Sequence, residues 1–386
     1  MSLSNDHVCL GGVSLSLQPV AAILNSRQSK RLSLADEWVR STSAAVKHLV
    51  ESGYVIATSI GMSTWELLVH LVNVYGGSQL LVIPGRLKKT VSQRAAEIAH
   101  DFRLDPARIG YMMSGDAASG KGGRKSAWAH RDDIVIELAD ILVPVSIRPE
   151  GNLGRKIEAA SRAGKDLNTP FSVKYRPGAE RVSYSLARED LNPELVNMPW
   201  PYLTHWTRSS HLPYPGETRF EYYRDILSHS HFPRSAPDTL RRIVTERKIR
   251  ASRRFIRGGH KVVSFTGLHP CSAVSLMRWR RRYVYYNFEP YGIAISTEAA
   301  ENLGIRQVTY GTPELYDTLP ASDRPFYQNV GGPTADWKPE SEWRHPGDLA
   351  LGDIPDDRIH LLVYSKTDAQ DLGRISPYRV IPLTSY

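Results

Sequence analysis

The apolar positions of the first 165 residues recur in two alternating patterns. Short uninterrupted runs at 7–10, 54–58, 80–83 and 141–145 predict buried strands. Between the first two, Trp38, Val39, Ala45, Val46, Leu49 and Val50 share one stripe, which predicts a helix over 33–52 that Gly53 stops. Residues 63–75 and 92–102 predict two further helices, and Gly76-Gly77 ends the first of them. Residues 134–139 lead into the strand at 141. Strands separated by helices imply an α/β fold with a mostly parallel sheet covered on both faces. Ligands of such sheets bind outside the C-terminal ends of the strands.

The pattern changes after residue 164. The stretch 164–200 has little apolar periodicity and carries Pro170, Pro177, Pro193 and Pro199, with Pro201 just beyond. It reads as a linker with some strand, and places a domain boundary near residue 185, giving domains 1–185 and 186–386. The second half alternates at 203–206, 261–266, 292–295 and 359–364, with helices at 220–228 and 238–247. Short strands and few long helices predict an α+β domain on a curved or split sheet.

Composition narrows this little. A chain of 386 residues, 41% apolar and 23% charged, has room for two cores and is neither disordered nor collagen-like. Cys9 and Cys271 cannot form a disulfide framework or a zinc knuckle, so a cytoplasmic location is expected. No run of about 18 apolar residues occurs, so no membrane span is expected. His229 and His231 read as loop histidines, and no metal site is expected. Charge adds more. There are 49 Lys and Arg against 40 Asp and Glu, a net +9. Residues 239–282 hold 13 of those bases against one acid, Glu246, with Trp279, Tyr283, Tyr285 and Tyr286 interleaved near the end. Such a stretch fits a nucleic acid or another phosphate-rich partner.

Three loops of the first half have the chemistry of a phosphate site. Gly11-Gly12 follows the predicted first strand, where glycines let a phosphate approach backbone N–H groups, and Ser14 adds a hydroxyl. Residues 58–64, with Ser59, Gly61 and Thr64, open onto a helix N-terminus, and Glu66 lies one turn on. Residues 146–153 place Arg148 and Gly151 after the late strand, and Arg148 can neutralise a phosphate. Residues 115–122 come near a phosphate-binding loop. They lack the Ser or Thr that would hold magnesium, and they read as a polar loop.

The order of these pieces resembles the SLOG superfamily of Rossmann-like domains, which includes the DNA-processing protein A family and the lonely-guy phosphoribohydrolases. The resemblance rests on Gly11-Gly12-x-Ser14, Ser59-Ile60-Gly61-Met62, His70, the segment 76–84, Arg131-Asp132 and the Gly151-x-Leu153 turn, and covers about residues 7–165. It implies a domain that senses a nucleotide-derived ligand and self-associates.

Four clusters mark the second half: 204–208, 264–266, 289–292 and 340–344. Together they suit cleavage of the nicotinamide–ribose bond of NAD. That reaction passes through an oxocarbenium-like state and needs a carboxylate near the ribose. Glu342 fits that role, and Glu340, two residues earlier on one strand face, can steer an acceptor. His205 or Arg208 can hold ribose and phosphate, and Tyr291 and Trp206 can pack on the rings. Thr207, Ser264, Phe265 and Thr266 complete the expected NAD site.

These clusters resemble the ADP-ribosyltransferase superfamily. Arg208, Ser264-x-Thr266 and Glu340-x-Glu342 are similar to one of its motif sets, and His205, Tyr291 and Glu342 to another. The Glu342-Trp343-Arg344 ending also resembles a family of bacterial phage-resistance proteins. The resemblances imply a cytosolic sensor–effector with a defence or toxin role, in which a nucleotide-binding domain controls an NAD-using transferase or NADase. Two alternatives stay open: a non-enzymatic single-stranded nucleic-acid-binding protein, and a nucleotide phosphoribohydrolase.

Overall fold

The computed structural model describes residues 9–12, 18–84, 91–113, 123–176, 182–280, 285–330 and 340–386. Cys9–Gly11 (β1) is a short strand, and Val20–Asn25 (β2) is a second one, buried at every position. Glu37–Glu51 (α1), Val55–Ser59 (β3), Ser63–Val74 (α2) and Gln79–Ile83 (β4) follow. Val91–Phe102 (α3), Ile109–Met113 (β5), Gly123–Leu138 (α4), Ile141–Ser146 (β6), Asn152–Arg162 (α5) and Asp166–Leu167 (β7) complete this part.

Among the described residues, these strands make one seven-stranded sheet in the order β1-β5-β4-β3-β2-β6-β7. All neighbours are parallel except β1, which pairs antiparallel with β5. The result is a Rossmann-like α/β sheet. β2, the run Val-Ala-Ala-Ile-Leu-Asn, is uniformly apolar up to its last residue because helices cover both its faces. From β2 the chain moves outward through β3, β4 and β5, then returns through α4 to β6 on the other side of β2. The strand order therefore reverses between β2 and β6, the place where such sheets bind ligands.

Two expectations need correction here. The first strand of the parallel sheet is β2, not 7–10, and β1 is only an antiparallel edge. The strand β5 carries Gly110 and falls outside the apolar runs expected from the pattern.

The chain forms two compact units. Unit 1 comprises Met1–Glu180 with Glu217–Pro233, and unit 2 comprises Arg181–Gly216 with Arg234–Tyr386. A division at residue 185 leaves out the return of 217–233 to unit 1. That return is driven by Arg219–Ile226 (α6), which buries Tyr222, Tyr223 and Ile226 in the unit 1 core. Its start is fixed by a capping box. The Thr218 hydroxyl accepts from Glu221 N at 3.2 Å, and the Glu221 carboxylate accepts from Thr218 N at 2.9 Å.

Unit 2 holds a second, mixed sheet. Its strands are Tyr202–Trp206 (β8), Val262–Thr266 (β9), Gly292–Ser296 (β10), Arg306–Gln307 (β11), Glu342–Pro346 (β12), Ile359–Val363 (β13) and Arg379–Pro382 (β14). Among the described residues their order is β11-β12-β9-β8-β10-β13-β14, antiparallel except for the last pair. One face packs Leu203, Val263, Phe265, Ile293 and Leu361 against Ala236–Glu246 (α7), where Leu240 and Ile243 are buried. The other face buries Trp206, Leu362 and Ile381 in a smaller cluster. Among the described residues, no helix is long and apolar enough to cross a membrane.

Candidate functional site

The C-terminal ends of β2 and β6 meet around a register shift. Leu24 pairs with Pro144 and Asn25 with Ser146, so one residue of β6 is skipped. Pro144 has no N–H for the ladder, and a bulge of this kind re-aims the side chains beyond it. Three polar residues of the edge are buried: Asn25 (5% exposed), Ser26 and Gln28. Ser26 N donates to Ser146 O at 2.9 Å, Gln28 Nε2 donates to Ser146 Oγ at 2.9 Å, and Arg148 N donates to Ser26 Oγ at 2.9 Å. Asn25 Nδ2 donates to Thr42 Oγ1 at 3.0 Å, which leaves Asn25 Oδ1 buried with no partner. The side chains of Arg27 and Arg148 are exposed at the same edge.

The turn after β6 depends on Gly151. Its N–H donates to Arg148 O at 3.1 Å, and an added Cβ would lie 3.0 Å from that oxygen. Gly151 is also the N-cap of α5 and supplies no side-chain cap. Gly151 and Arg148 thus stand at the edge expected of them.

Beside them lies the loop between β3 and α2. Gly61 has φ +90, a conformation that L side chains rarely adopt, and its Cβ position opens to free space. Met62, the N-cap of α2, gives no side-chain cap to the helix. Thr64, in the first turn of α2, is 1% exposed, and its hydroxyl has no partner. Ser59 is different: its hydroxyl donates to Val82 O at 2.7 Å, so it locks β3 to β4. Glu66 is also engaged. Its Oε1 accepts from Gly61 N at 3.3 Å, and its Oε2 lies 3.2 Å from Tyr223 Oη and 3.1 Å from Arg219 Nε. Arg219 is held in turn by Asp101. The carboxylate expected to act on a ligand therefore braces the loop against α6, and this argues against a phosphoribohydrolase acid.

Arg131 braces the loop from the other side. It is 1% exposed, donates to Ile60 O at 3.3 Å, pairs with Asp132 at 2.6 Å and lies 5.3 Å from the Trp65 ring centre.

Gly11 and Gly12 do not belong to this edge. β1 runs antiparallel to β5, and Gly11 faces Gly110 near the start of β5. Gly12 N donates to Ile109 O at 3.2 Å. The turn therefore lies at the opposite, N-terminal edge of the sheet, away from the loops that take ligands. Ser14 and the 115–122 loop lie outside the described residues.

His70 is a core residue. It is 2% exposed, its Nδ1 has no partner, and its ring packs 5.1 Å from Phe220 and 5.8 Å from Tyr223. Burial lowers its pKa from 6.5 to about 4, with Arg224 adding to the effect. The unfolded chain takes up this proton near pH 6.5 and the folded chain only near pH 4. Its contribution to stability is complete above the first value and falls as the pH drops towards the second. A shift of this size corresponds to about 3 kcal/mol. Denaturant titrations at pH 7 and pH 4 are expected to show that loss in the native chain. In His70→Phe the loss should be smaller by about that amount.

The second-half candidates divide between two faces of one sheet. Cross-strand partners share a face. Thr266 pairs with both Thr204 and Glu342, Ser264 with Arg344, and Phe265 with Trp343. Thr204, Trp206, Ser264, Thr266 and Glu342 are therefore on one face, and His205 and Phe265 on the other. His205 and Phe265 rings lie 5.8 Å apart. The expected convergence of His205 and Glu342 on one substrate is not observed, because strand alternation separates them.

On the Glu342 face, Ser264 Oγ donates to Glu342 Oε1 at 2.7 Å. Arg344 occupies the rest of the carboxylate: Nε donates to Oε1 at 2.8 Å and Nη2 to Oε2 at 3.0 Å. Glu340 is not on the same strand face. Ser341, at φ +44, breaks the alternation before β12 begins, and Glu340 Oε1 accepts from Asn287 Nδ2 at 3.0 Å. Thr266 Oγ1 donates to the Glu340 carbonyl at 2.5 Å.

The other candidates are largely structural. His205 Nδ1 lies 2.8 Å from Ser264 O, so that nitrogen carries the proton; burial lowers its pKa, and nearby Arg208 lowers it further. Thr207 Oγ1 lies 3.0 Å from both Ala236 O and Tyr291 O. Tyr291 Oη donates to Asp368 at 3.1 Å, and burial pushes its pKa well up. Trp206 and Phe265 are core side chains, 7% and 3% exposed.

Much of the basic stretch is spent on ion pairs within unit 2. Arg242 and Arg250 flank Glu246 at 2.7 and 3.0 Å, Arg247 meets Asp356 at 3.1 Å, and Lys248 meets Asp348 at 2.8 Å.

No protein-family model matches the chain, and no curated protein matches it. Among solved structures it is similar to DNA processing protein A of Streptococcus pneumoniae, with 16% identity and a TM-score of 0.33 over 42% of this chain and 54% of that one. The chain thus spans about half of that protein. It is also similar to DNA processing protein A of Helicobacter pylori, described for its single-stranded DNA binding, with 14% identity and a TM-score of 0.32 over 42% of this chain and 70% of that one. A third likeness is to the molybdenum cofactor carrier protein of Chlamydomonas reinhardtii, with 12% identity and a TM-score of 0.27 over 39% of this chain and 76% of that one. These likenesses are too distant to carry any residue's role to this chain.

Proposed function

We propose that unit 1 binds a phosphorylated, nucleotide-type ligand at the C-terminal edge of its parallel sheet, across the ends of β2, β3 and β6. One observation carries the reading. Asn25 Oδ1, at the strand-order reversal, and Thr64 Oγ1, in the first turn of α2 beyond the neighbouring β3, are buried polar atoms without partners. Leaving such an atom unpaired costs about 1–3 kcal/mol, and binding sites are where that cost is retained. The supporting features are the uncapped starts of α2 and α5 and the exposed Arg27 and Arg148. Helix N-termini offer N–H groups and a positive dipole end to a phosphate.

Calorimetric titration with ATP and with ADP-ribose tests this. At least one is expected to bind. Gly61→Val should weaken binding about tenfold or more, equivalent to about 1.4 kcal/mol, by covering the loop N–H and straining its backbone. Arg148→Ala should weaken it several-fold with no change in folding, since the side chain is exposed. Equal affinity in both variants would place the ligand elsewhere.

A second reading keeps unit 2 as an NAD-using transferase controlled by unit 1, in a sensor–effector of defence. It has the 2.7 Å Ser264–Glu342 contact behind it, on the face that also carries Trp206. The Arg344 fork around Glu342 weighs against a carboxylate reserved for a developing cation.

A further inference from the structure

We propose that Glu66 is a relay: a phosphate bound at the Gly61 loop takes over the N–H that Glu66 holds, and the released carboxylate closes on α6. This deepens the ligand site proposed for unit 1 and rests on it. Glu66 stands in the first turn of α2, with its side chain 13% exposed. Its two oxygens are committed to different elements. Oε1 accepts from Gly61 N at 3.3 Å, while Oε2 lies 3.2 Å from Tyr223 Oη and 3.1 Å from Arg219 Nε.

None of these contacts is well made. All three are long for a carboxylate, whose charge-assisted hydrogen bonds run at about 2.5–2.9 Å. The Arg219 contact is an ion pair without an aligned hydrogen bond, and Arg219 Nε is buried with no hydrogen-bond partner. The Tyr223 hydroxyl has one proton and two acceptors, Glu66 Oε2 and Ser63 O, the latter at 3.4 Å. The carboxylate is thus stretched between the loop and the helix. Letting go of Gly61 allows it to turn fully onto Arg219 and Tyr223. A phosphate drives that release. It competes for the same N–H at the positive end of α2, and its charge repels the carboxylate.

The helix that receives Glu66 has an unusual place in the chain. α6 lies in the segment 217–233, which belongs to unit 1, while residues 216 and 234 on either side of it belong to unit 2. Other ties hold the segment in unit 1: Arg219 N donates to Asp101 at 2.8 Å, Arg103 Nη2 to Glu221 at 2.6 Å, and Leu34 N to His229 O at 3.1 Å. Glu66 therefore links ligand occupancy to a segment that the chain joins to unit 2 at both ends. The link is reciprocal: whatever factor the ligand gains from the closed carboxylate, the hold on α6 gains from the ligand.

Hydrogen–deuterium exchange and calorimetric titration of the full chain with ATP and with ADP-ribose test this. The probe that binds should slow exchange in 219–228 as well as at the loop. Glu66→Gln keeps an oxygen for Gly61 N but loses the charge. It is expected to bind that probe about fivefold tighter or more, and to lose the effect of the probe on 219–228. Tyr223→Phe, with no ligand added, removes one claim on the carboxylate and should slow exchange of the peptide around Gly61. A carboxylate that only braces the site predicts the opposite signs. Equal or weaker binding in Glu66→Gln, protection of 219–228 that survives in that variant, or unchanged or faster exchange around Gly61 in Tyr223→Phe would each overturn the relay and leave the ligand site standing. Binding of neither probe to the native chain would overturn both.

Discussion

Arg344→Met is expected to lower the stability of unit 2 by about 3–5 kcal/mol, the usual cost of leaving one member of a buried ion pair alone. Arg344 is 1% exposed and Glu342 is 12% exposed at the side chain. Besides its fork on Glu342, Arg344 Nη1 donates to Pro325 O at 3.0 Å and Tyr327 O at 2.7 Å, and Nη2 donates to Gln328 at 2.5 Å. The substitution takes the donor from a carboxylate, two backbone carbonyls and the Gln328 amide oxygen at once. Replacing both members, Glu342→Met with Arg344→Met, should recover a large part of the loss, because the desolvation of both charges disappears. Urea titration followed on unit 2 tryptophans measures both. Glu342→Gln keeps the side-chain volume and can still accept from Ser264, but it removes the charge that the buried Arg344 faces and is itself expected to lose stability. If unit 2 consumes NAD through Glu342, this variant releases no nicotinamide at a temperature where the same urea titration shows it folded. Full nicotinamide release would end the transferase reading.

Arg131→Met is the second large effect. It removes the bond to Ile60 O and the partner of Asp132, whose pKa burial already raises. A loss of about 3 kcal/mol is expected, at the lower end for buried pairs because Asp132 keeps 20% of its side chain exposed. The pH dependence gives the sign. Without Arg131 the Asp132 carboxyl takes up a proton more readily in the folded chain than in the unfolded one. The deficit relative to the native chain should therefore be largest near pH 8 and shrink as the pH falls. Nucleotide affinity should fall with it, since the Gly61 loop loses one of its two braces. A deficit independent of pH would mean that the lost contacts, not the carboxyl, dominate.

Helices α1, α2 and α3 were legible in the sequence because amphipathic stripes and glycine stops are local signals. The stripe of Trp38, Val39, Ala45, Val46 and Leu49 is buried in α1 as its spacing implies. The first parallel strand was not legible in the same way. Val20–Leu24 is an uninterrupted apolar run like the others, but the earlier run at 7–10 with its Gly11-Gly12 turn took the place of the first strand. Misplacing that strand put Gly11 and Gly12 at the binding edge and hid Asn25, Ser26 and Gln28. Gly61, Thr64, Arg148 and Gly151 were legible because a strand-to-helix loop carries its own chemistry. Their braces, Arg131, Arg219 and Tyr223, were not, because they arrive from distant segments. In unit 2 the order of motifs pointed to one cluster, but order says nothing about strand faces. Only the register shows that His205 and Glu342 point apart.

The most direct test is hydrogen–deuterium exchange of the full chain with and without saturating ADP-ribose or ATP, whichever binds. Protection is expected at 25–28, 59–64 and 146–152, the strand ends and helix starts around Asn25 and Thr64. Protection confined to β8, β9 and β12, or no change at 59–64, would contradict a nucleotide site on the parallel sheet.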